Sequence, residues 1–448
     1  MRHVWAVAMV FLLEVLRGPG FRVFLVALLA SAAFFPRLTA GDDLLERLRL
    51  AVSYGIGIPS ILIGVATLVY TTGSLSREID RRTIHLVATK PIHSWRILAG
   101  KLCGVFLLDV GLLTLAVLVF LANVWSFSAE EHSPDEWRVA KHRFFVSRRG
   151  TFAEPRPVDD ARWRVVFESR LARRPPHDRR TEEEIAASVT RNVQTRWIGP
   201  GLEERFTFAG LPHGGAPDEL LQLRCRLYFR PPDAQVDAAT RWTFDAGNGT
   251  NVEVRSLRVS QGVVHIVEVP AHVIAEGRLA VRLRNDEPEG RVSLIVRPES
   301  LEVLSRHGGL ATSLVGVCVR LLGGFVLLAV LGLLGAALFS LPTANLAGFF
   351  VYATGSCSAF LAESLELLPF RVGGGNLLEG LVAVLVRVAR WALGAMPDFT
   401  GVGSLLSRLA DGRTVEAAGV WPSLVAASVG FLLAAFFWSR RELGGGQT

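Results

Sequence analysis

Cysteine is scarce and scattered: four in 448 residues, Cys103, Cys225, Cys318 and Cys357. None stands at a metal-ligand spacing. A zinc module is therefore excluded, and so is a disulfide scaffold. Cys225, the one cysteine of the charged middle section, has no partner there for an internal disulfide. The ten histidines form no ligand pair on a plausible helix face, and His85 and His93 read as exposed loop residues. No G-x-x-x-x-G-K-[ST] motif occurs. Gly100-Lys101 lacks the earlier glycine that a phosphate-cradling loop needs, so no ATP site is expected in this chain. No nucleophile with a base beside it and no acid/base pair can be picked out, so neither enzyme activity nor a cofactor is expected. Lysine is rare, and almost all of the basic residues are arginine. A nucleic-acid surface would need a basic run interleaved with aromatics. The Arg173–Arg180 patch is instead offset by Glu182–Glu184, so no nucleic-acid partner is expected.

Long apolar runs are what the chain has in quantity. Half of the residues are hydrophobic, and the formal net charge is +7. The apolar residues sit in blocks at both ends and the middle is charged, which is too uneven for one soluble domain. Residues 2–16 are apolar but contain Glu14, and Gly18-Pro19-Gly20 interrupts the run before Phe21–Phe35. Ala30-Ser31-Ala32 could pass for a signal-peptide cleavage site. Glu14, the Gly-Pro-Gly break and a further apolar run close behind favour another reading: an interfacial helix over 1–20, then a first span from about Phe21 to Leu38. Pro36–Arg49 reads as a short outer loop and Leu50–Gly73 as a second span.

Ser74–Lys101 organises the rest. It lies between the nearly uncharged Gly55–Gly73 run and Leu102–Val124, whose one charge is Asp109. Each run is about long enough to cross the hydrocarbon core. The loop carries Arg77, Arg81, Arg82, Lys90, Arg96 and Lys101 against Glu78 and Asp80. Short loops rich in Lys and Arg stay on the cytoplasmic side. Ser76 is placed to cap a short helix, Pro91 interrupts it, and Gly100-Lys101 leads into the next span.

Ser76, Arg77, Glu78, Thr83, Val87 (in a leucine position), Lys90, Pro91, Gly100 and Lys101 lie in a loop that resembles the signature loop of ABC-2 type transporter permeases. The likeness is to the branch that includes the permease for maturation of the nitrous-oxide reductase copper site. Pro397 near an outer face and the Arg440-Arg441-Glu442-Leu443 tail resemble the same family. The resemblance implies that the loop contains the coupling helix that docks into a separate ATPase subunit. It also implies a homodimer or a dimer with a second permease, and export as the usual direction. It covers the membrane part of the chain; the insert at about 125–307 departs from the compact family pattern.

Residues 125–307 read as a soluble, mainly-β domain. Trp163–Phe167 is expected to be a strand, and Thr181–Gln194 a capped helix with three glutamates in its first turn. Seven alternating segments follow: Arg205–Phe208, Leu221–Phe229, Arg241–Phe244, Val252–Val259, Val263–Val269, Arg278–Arg284 and Val292–Val296. Short strands with regular turns indicate a β-sandwich of jelly-roll type. Beyond it, Leu310–Phe339 reads as a span, Leu341–Asn345 as a tight inner turn, and Leu346–Leu368 as the next span. Within 373–419, the 377–393 part reads as an outer amphipathic or re-entrant helix, with a full span as the alternative. Val420–Trp438 is the last span.

The expected fold is therefore an α-helical polytopic membrane protein of about six spans, with an inserted extracytoplasmic β-sandwich. Both termini and the signature loop are expected inside, in the cytoplasmic membrane. Asp109, Arg320, Glu363 and Glu366 are the intramembrane polar candidates. The two glutamates either snorkel to the outer interface or line a polar route between subunits, and Arg320 is within reach of them if their spans are neighbours. The expected function is the permease subunit of an ABC-type transporter, with an ABC ATPase and the bilayer as partners. The rival is a non-transport anchor presenting a β-sandwich to protein partners or polysaccharide.

Overall fold

A computed structural model describes residues 2–38, 43–80, 94–130, 132–155, 160–172, 182–212, 220–230, 237–246, 250–274, 276–288, 292–356 and 402–444. The chain forms two compact units, Met1–Ser147 with Gly308–Thr448, and Arg148–His307.

The first unit is helical. It contains α1 (Arg2–Arg17), α2 (Pro19–Leu38), α3 (Leu44–Gly55), α4 (Gly57–Asp80), α5 (Ser94–Ser128) and α6 (Pro134–Arg143). After the inserted unit come α9 (Leu310–Leu338), α10 (Leu341–Ser356), α11 (Val402–Ala410) and α12 (Trp421–Gly444). Among the described residues, 5 helical stretches are long and apolar enough to cross a membrane: Pro19–Leu38, Leu44–Ser76 (α3 with α4), Trp95–Ser128, Leu310–Leu338 and Ala417–Arg440. The rest of the expected Leu346–Leu368 span, the 377–393 segment and Pro397 lie outside the described residues.

Several boundaries differ from the sequence reading, each for a local reason. Leu44–Arg49 is helix rather than loop: Leu44 and Leu48 are buried, so this turn joins the core. The second span is two helices. Pro59 has no N–H to give Gly55, so the ladder breaks at Ile56 and resumes where Ser60 N donates to Ile56 O at 2.9 Å. Ser76 lies inside α4 and is not a cap. The third span starts at Ser94, ahead of Leu102, so Gly100 and Lys101 are helical. Leu341–Asn345 is the first turn of α10, where Pro342 forfeits no helical hydrogen bond, and Ala344 N donates to Ser340 O at 2.8 Å. The insert begins at Arg148 and not near 125. Phe127, Ala140 and Phe144 are buried in the helical core with Phe120, Leu314 and Leu409, which ties α6 to the first unit.

The second unit holds α7 (Asp160–Ala172), α8 (Glu182–Gln194) and strands β1 (Val146–Phe152, begun in the first unit), β2 (Arg196–Ile198), β3 (Glu203–Ala209), β4 (Leu220–Arg226) and β5 (Tyr228–Arg230). It continues with β6 (Ala238–Ala246), β7 (Thr250–Val259), β8 (Val264–Pro270), β9 (Arg278–Asn285), β10 (Ser293–Val296) and β11 (Leu301–Gly309). The expected strand at Trp163–Phe167 is helix α7. Its Trp163 and Phe167 rings stack one turn apart with centroids 4.8 Å apart, and Trp163 Nε1 donates to Thr190 Oγ1 of α8 at 3.0 Å. Packing against α8 overrides the β-propensity of the run. The cap residue expected for α8, Thr181, lies outside the described residues.

The strands form three sheets, ordered β1-β11-β4-β8, β2-β10-β5 and β3-β9-β6-β7. Leu221–Phe229 is two strands, because the chain leaves the first sheet at Arg226 and enters the second at Tyr228. The three sheets share one core. Phe206 and Phe244 face Val281 from either side, Trp242 faces Leu283, and Phe229 and Leu294 join them. Cys225 is buried in this core, and burial pushes its thiol up to about 12. Its reactive thiolate form is therefore absent at neutral pH.

Trp242 is fully buried, and its Nε1 donates to Thr240 Oγ1 at 3.0 Å; Thr240 Oγ1 in turn donates to Leu257 O at 2.8 Å across the bulge in β6. Thr240→Val keeps the shape and strands the indole N–H. We expect the second unit to lose about 1–3 kcal/mol of stability, read by denaturation of the detergent-solubilised chain. An unchanged transition would show that the indole finds another acceptor.

Candidate functional site

The candidate site follows α4, because among the described residues the polar contacts of Thr67, Thr72 and Lys101 near the Ser74–Lys101 segment all involve this helix. Its hydroxyls recur at roughly helical spacing: Ser60, Thr67, Thr71, Ser74. Ser60 and Thr71 each donate back to a carbonyl one turn earlier, at 2.7 Å to Ile56 O, just before α4, and at 2.9 Å to Leu68 O. Such back-bonding hides the hydroxyl proton from an apolar surround.

Thr67 also reaches across. Its Oγ1 donates to Asp109 Oδ1 of α5 at 2.7 Å, and Asp109 is 1% exposed. Asp109 Oδ2 has no hydrogen-bond partner among the described residues. An ionisable group near the middle of a span costs about 2.5–3.5 kcal/mol by insertion scales, so Thr67 offsets only part of that cost. One turn on, Thr72 hydrogen-bonds Asn345 of α10. Tyr352 of α10 donates its hydroxyl to Ile61 O at 3.3 Å. The close approach of α10 depends on small residues. A Cβ at Gly64 would lie 2.5 Å from the Tyr352 hydroxyl, and one at Gly348 would lie 2.7 Å from Leu68.

At the end of α4, Lys101 of α5 is buried, and its Nζ donates to Ser74 O at 2.9 Å. Ser76 is also buried, and its hydroxyl has no partner among the described residues. Arg77 and Glu78 lie on the last turn of α4. Thr83, Lys90 and Pro91 lie outside the described residues. The structure thus brings Lys101 of α5 to the Ser74 turn of α4.

Gly100 serves packing. A Cβ there would lie 2.6 Å from Val7 Cβ and 2.9 Å from Val4 O, and one at Gly104 would lie 2.8 Å from Phe11 and 2.9 Å from Ala8 O. This Gly-x-x-x-Gly face lets α1 lie directly on α5. The opposite side of α1 exposes Trp5, Val10, Leu13 and Leu16. Where α1 meets α2, a cleft of about 290 Å³ opens between Phe11, Glu14, Gly18, Tyr70 and Ser74.

Arg320 of α9 lies against the Ala417–Val420 turn, where its guanidinium fills the space that a side chain at Gly419 would need. Its Nε is buried without a partner among the described residues. Glu363 and Glu366, the candidate partners, lie outside the described residues. The sequence reading missed Thr67, Thr72, Asn345 and Tyr352. The repeat of hydroxyl and glycine along α4 was the available signal; the partners on α10 had none.

Gly100→Ala must push a backbone carbonyl and Val7 aside, so we expect a loss of about 1–3 kcal/mol in thermal stability and faster proteolysis within residues 1–17. Gly111, on the same helix with nothing within 4 Å, is the control, and its alanine variant should be no less stable than wild type. Equal behaviour of the two variants would contradict the close contact of α1 with α5.

No curated protein matches the chain. Residues 1–137, which carry α1 to α5 and the start of α6, match the family model of the ABC-2 family transporter protein, so this part of the chain is similar to an ABC-2 transporter membrane domain.

Proposed function

We propose that the chain is the membrane-spanning permease subunit of an ABC-type transporter that works with a separate ATPase. The observation that carries this reading is the family match over residues 1–137, which spans the candidate coupling segment. The long apolar helices support a multi-pass membrane protein. The finer likeness, to the branch with the nitrous-oxide reductase maturation permease, rests on the loop residues with Pro397 and the Arg440–Leu443 tail, and export rests on the family habit. We also propose about six spans, both termini and Ser74–Lys101 inside, and the second unit outside as a closed sandwich. Two permease copies, or one with a second permease, would complete the transporter.

In this reading ATP closes the partner ATPases, and the loop passes the motion to α4. A helix is stiff along its axis, so displacement of its Asp80 end reaches Thr72 and Thr67 within a few turns. There α4 is hydrogen-bonded to α10 and α5. Discrete contacts of this kind can exchange for another set, which is how a packed bundle switches between two states.

Glu78→Arg reverses a charge at the proposed docking surface. We expect less ATPase co-purifying with the chain and lower permease-dependent ATP hydrolysis, with an unchanged melting profile. Unchanged co-purification and hydrolysis together would remove the loop from the coupling role.

Topology has its own test. With Cys103, Cys318 and Cys357 replaced by serine, the buried Cys225 thiol leaves a quiet background at pH 7–8. Arg82→Cys should then be shielded from an impermeant thiol reagent in spheroplasts, and Val263→Cys, at a position 51% exposed, should be labelled. The reverse pattern would invert the topology.

A further inference from the structure

The three-stranded sheet of the second unit has one face in the core and one outside. Ile198, Leu294 and Phe229 are the inward row, 1%, 0% and 2% exposed. The alternate row, Trp197, Ile295 and Tyr228, is aligned across the three strands by the register Trp197↔Ile295↔Tyr228. Trp197 is 49% exposed, and Tyr228 and Ile295 are half-buried. With strands about 4.7–4.9 Å apart, the row is roughly 10 Å wide.

Arginines cover its two rings. The Arg230 guanidinium lies 5.1 Å from the Trp197 centroid, and those of Arg297 and Arg226 lie 4.3 Å and 5.8 Å from the Tyr228 centroid. All three arginines are exposed. Elsewhere in this unit arginines meet carboxylates: Arg241 and Arg284 both reach Asp286, at 2.8 and 3.1 Å, and Arg196 reaches Glu204 at 3.5 Å. Among the described residues Arg226, Arg230 and Arg297 have no such partner. Of the three guanidinium groups, that of Arg226 also donates a hydrogen bond, from Nε to Gly262 O at 2.7 Å.

Stacking on an aromatic ring uses the face of a guanidinium and leaves its edge donors free. It also holds the planar fork in place, so less freedom is lost when an anion binds. Two ring-held forks at opposite sides of a flat row suit a partner whose carboxylates recur along its length.

We propose that this face binds an acidic polysaccharide. Arg230 and Arg297 grip successive uronate carboxylates, and the Trp197–Ile295–Tyr228 row supports the sugar rings between them. The proposal goes beyond the permease reading and does not depend on it.

The test uses the full-length chain in detergent and three immobilised probes: alginate, neutral dextran and poly-L-glutamate. We expect binding to alginate and none to dextran. The Arg230→Gln/Arg297→Gln double variant should weaken alginate binding by about tenfold or more, and Trp197→Ala should weaken it as well. A control double variant, Arg258→Gln/Arg278→Gln, removes the same charge from exposed positions elsewhere and should leave binding unchanged. Melting curves check that each variant is folded. No binding to alginate overturns the proposal, and so does an equal loss in both double variants, which would mean net charge alone. Equal or tighter binding of poly-L-glutamate through Arg230 and Arg297 also overturns it, in favour of an acidic protein segment.

Discussion

Polar groups placed inside an apolar helix must find a partner, and α4 is where the helical unit meets that constraint. The Thr67–Asp109 bond joins α4 to α5, the Thr72–Asn345 bond joins it to α10, and Lys101 holds its last turns. In a bundle surrounded by lipid tails, helix association gains little from hydrophobicity, so hydrogen bonds and close packing must supply it. The same logic explains the glycines. Gly64 and Gly348 let α10 approach α4, and Gly100 and Gly104 let α1 approach α5. On α4 itself, polar contacts with α5 and α10 stand beside the small-residue contact with α10. That helix continues directly into the charged segment that the family resemblance marks for coupling.

The second unit follows a different rule. It buries Phe, Trp and Val side chains from three sheets in one core and leaves a single thiol inside, with no disulfide among the described residues. A β-sheet unit with such a core gains stability by removing apolar surface from water, a source that helices in lipid lack. The two parts of the chain therefore show different sequence patterns. Period-2 alternation in the strands depends on one wet and one dry face, whereas the spans are apolar on all sides.

That difference governs what could be read in advance. Leu310–Leu338 and the strands around Arg205–Phe208 and Arg278–Arg284 were legible because length or alternation alone specifies them. Trp163–Phe167 was misread because β-branched and aromatic residues in a helix look like a strand until α8 is present to pack on them. Edge and joining strands such as β2 and β5 are too short to carry a period. In the site, the charges of Asp109 and Lys101 stood out in an apolar background, but their partners did not. Thr67 and the Ser74 carbonyl are ordinary groups that only the helix crossing brings near. Gly100 was legible through the family resemblance, while its physical role, seating α1, appears only where α1 crosses α5.

The central claim is that α4 carries motion from the charged segment into the bundle by exchanging its contacts with α10. Thr72 and Asn345 touch across that contact. In a chain with its native cysteines replaced by serine, Thr72→Cys/Asn345→Cys can be closed by mild oxidation after reconstitution with the partner ATPase. The account predicts that closing the bond abolishes permease-dependent stimulation of ATP hydrolysis and that a reductant restores it. Full stimulation with the bond closed would contradict it.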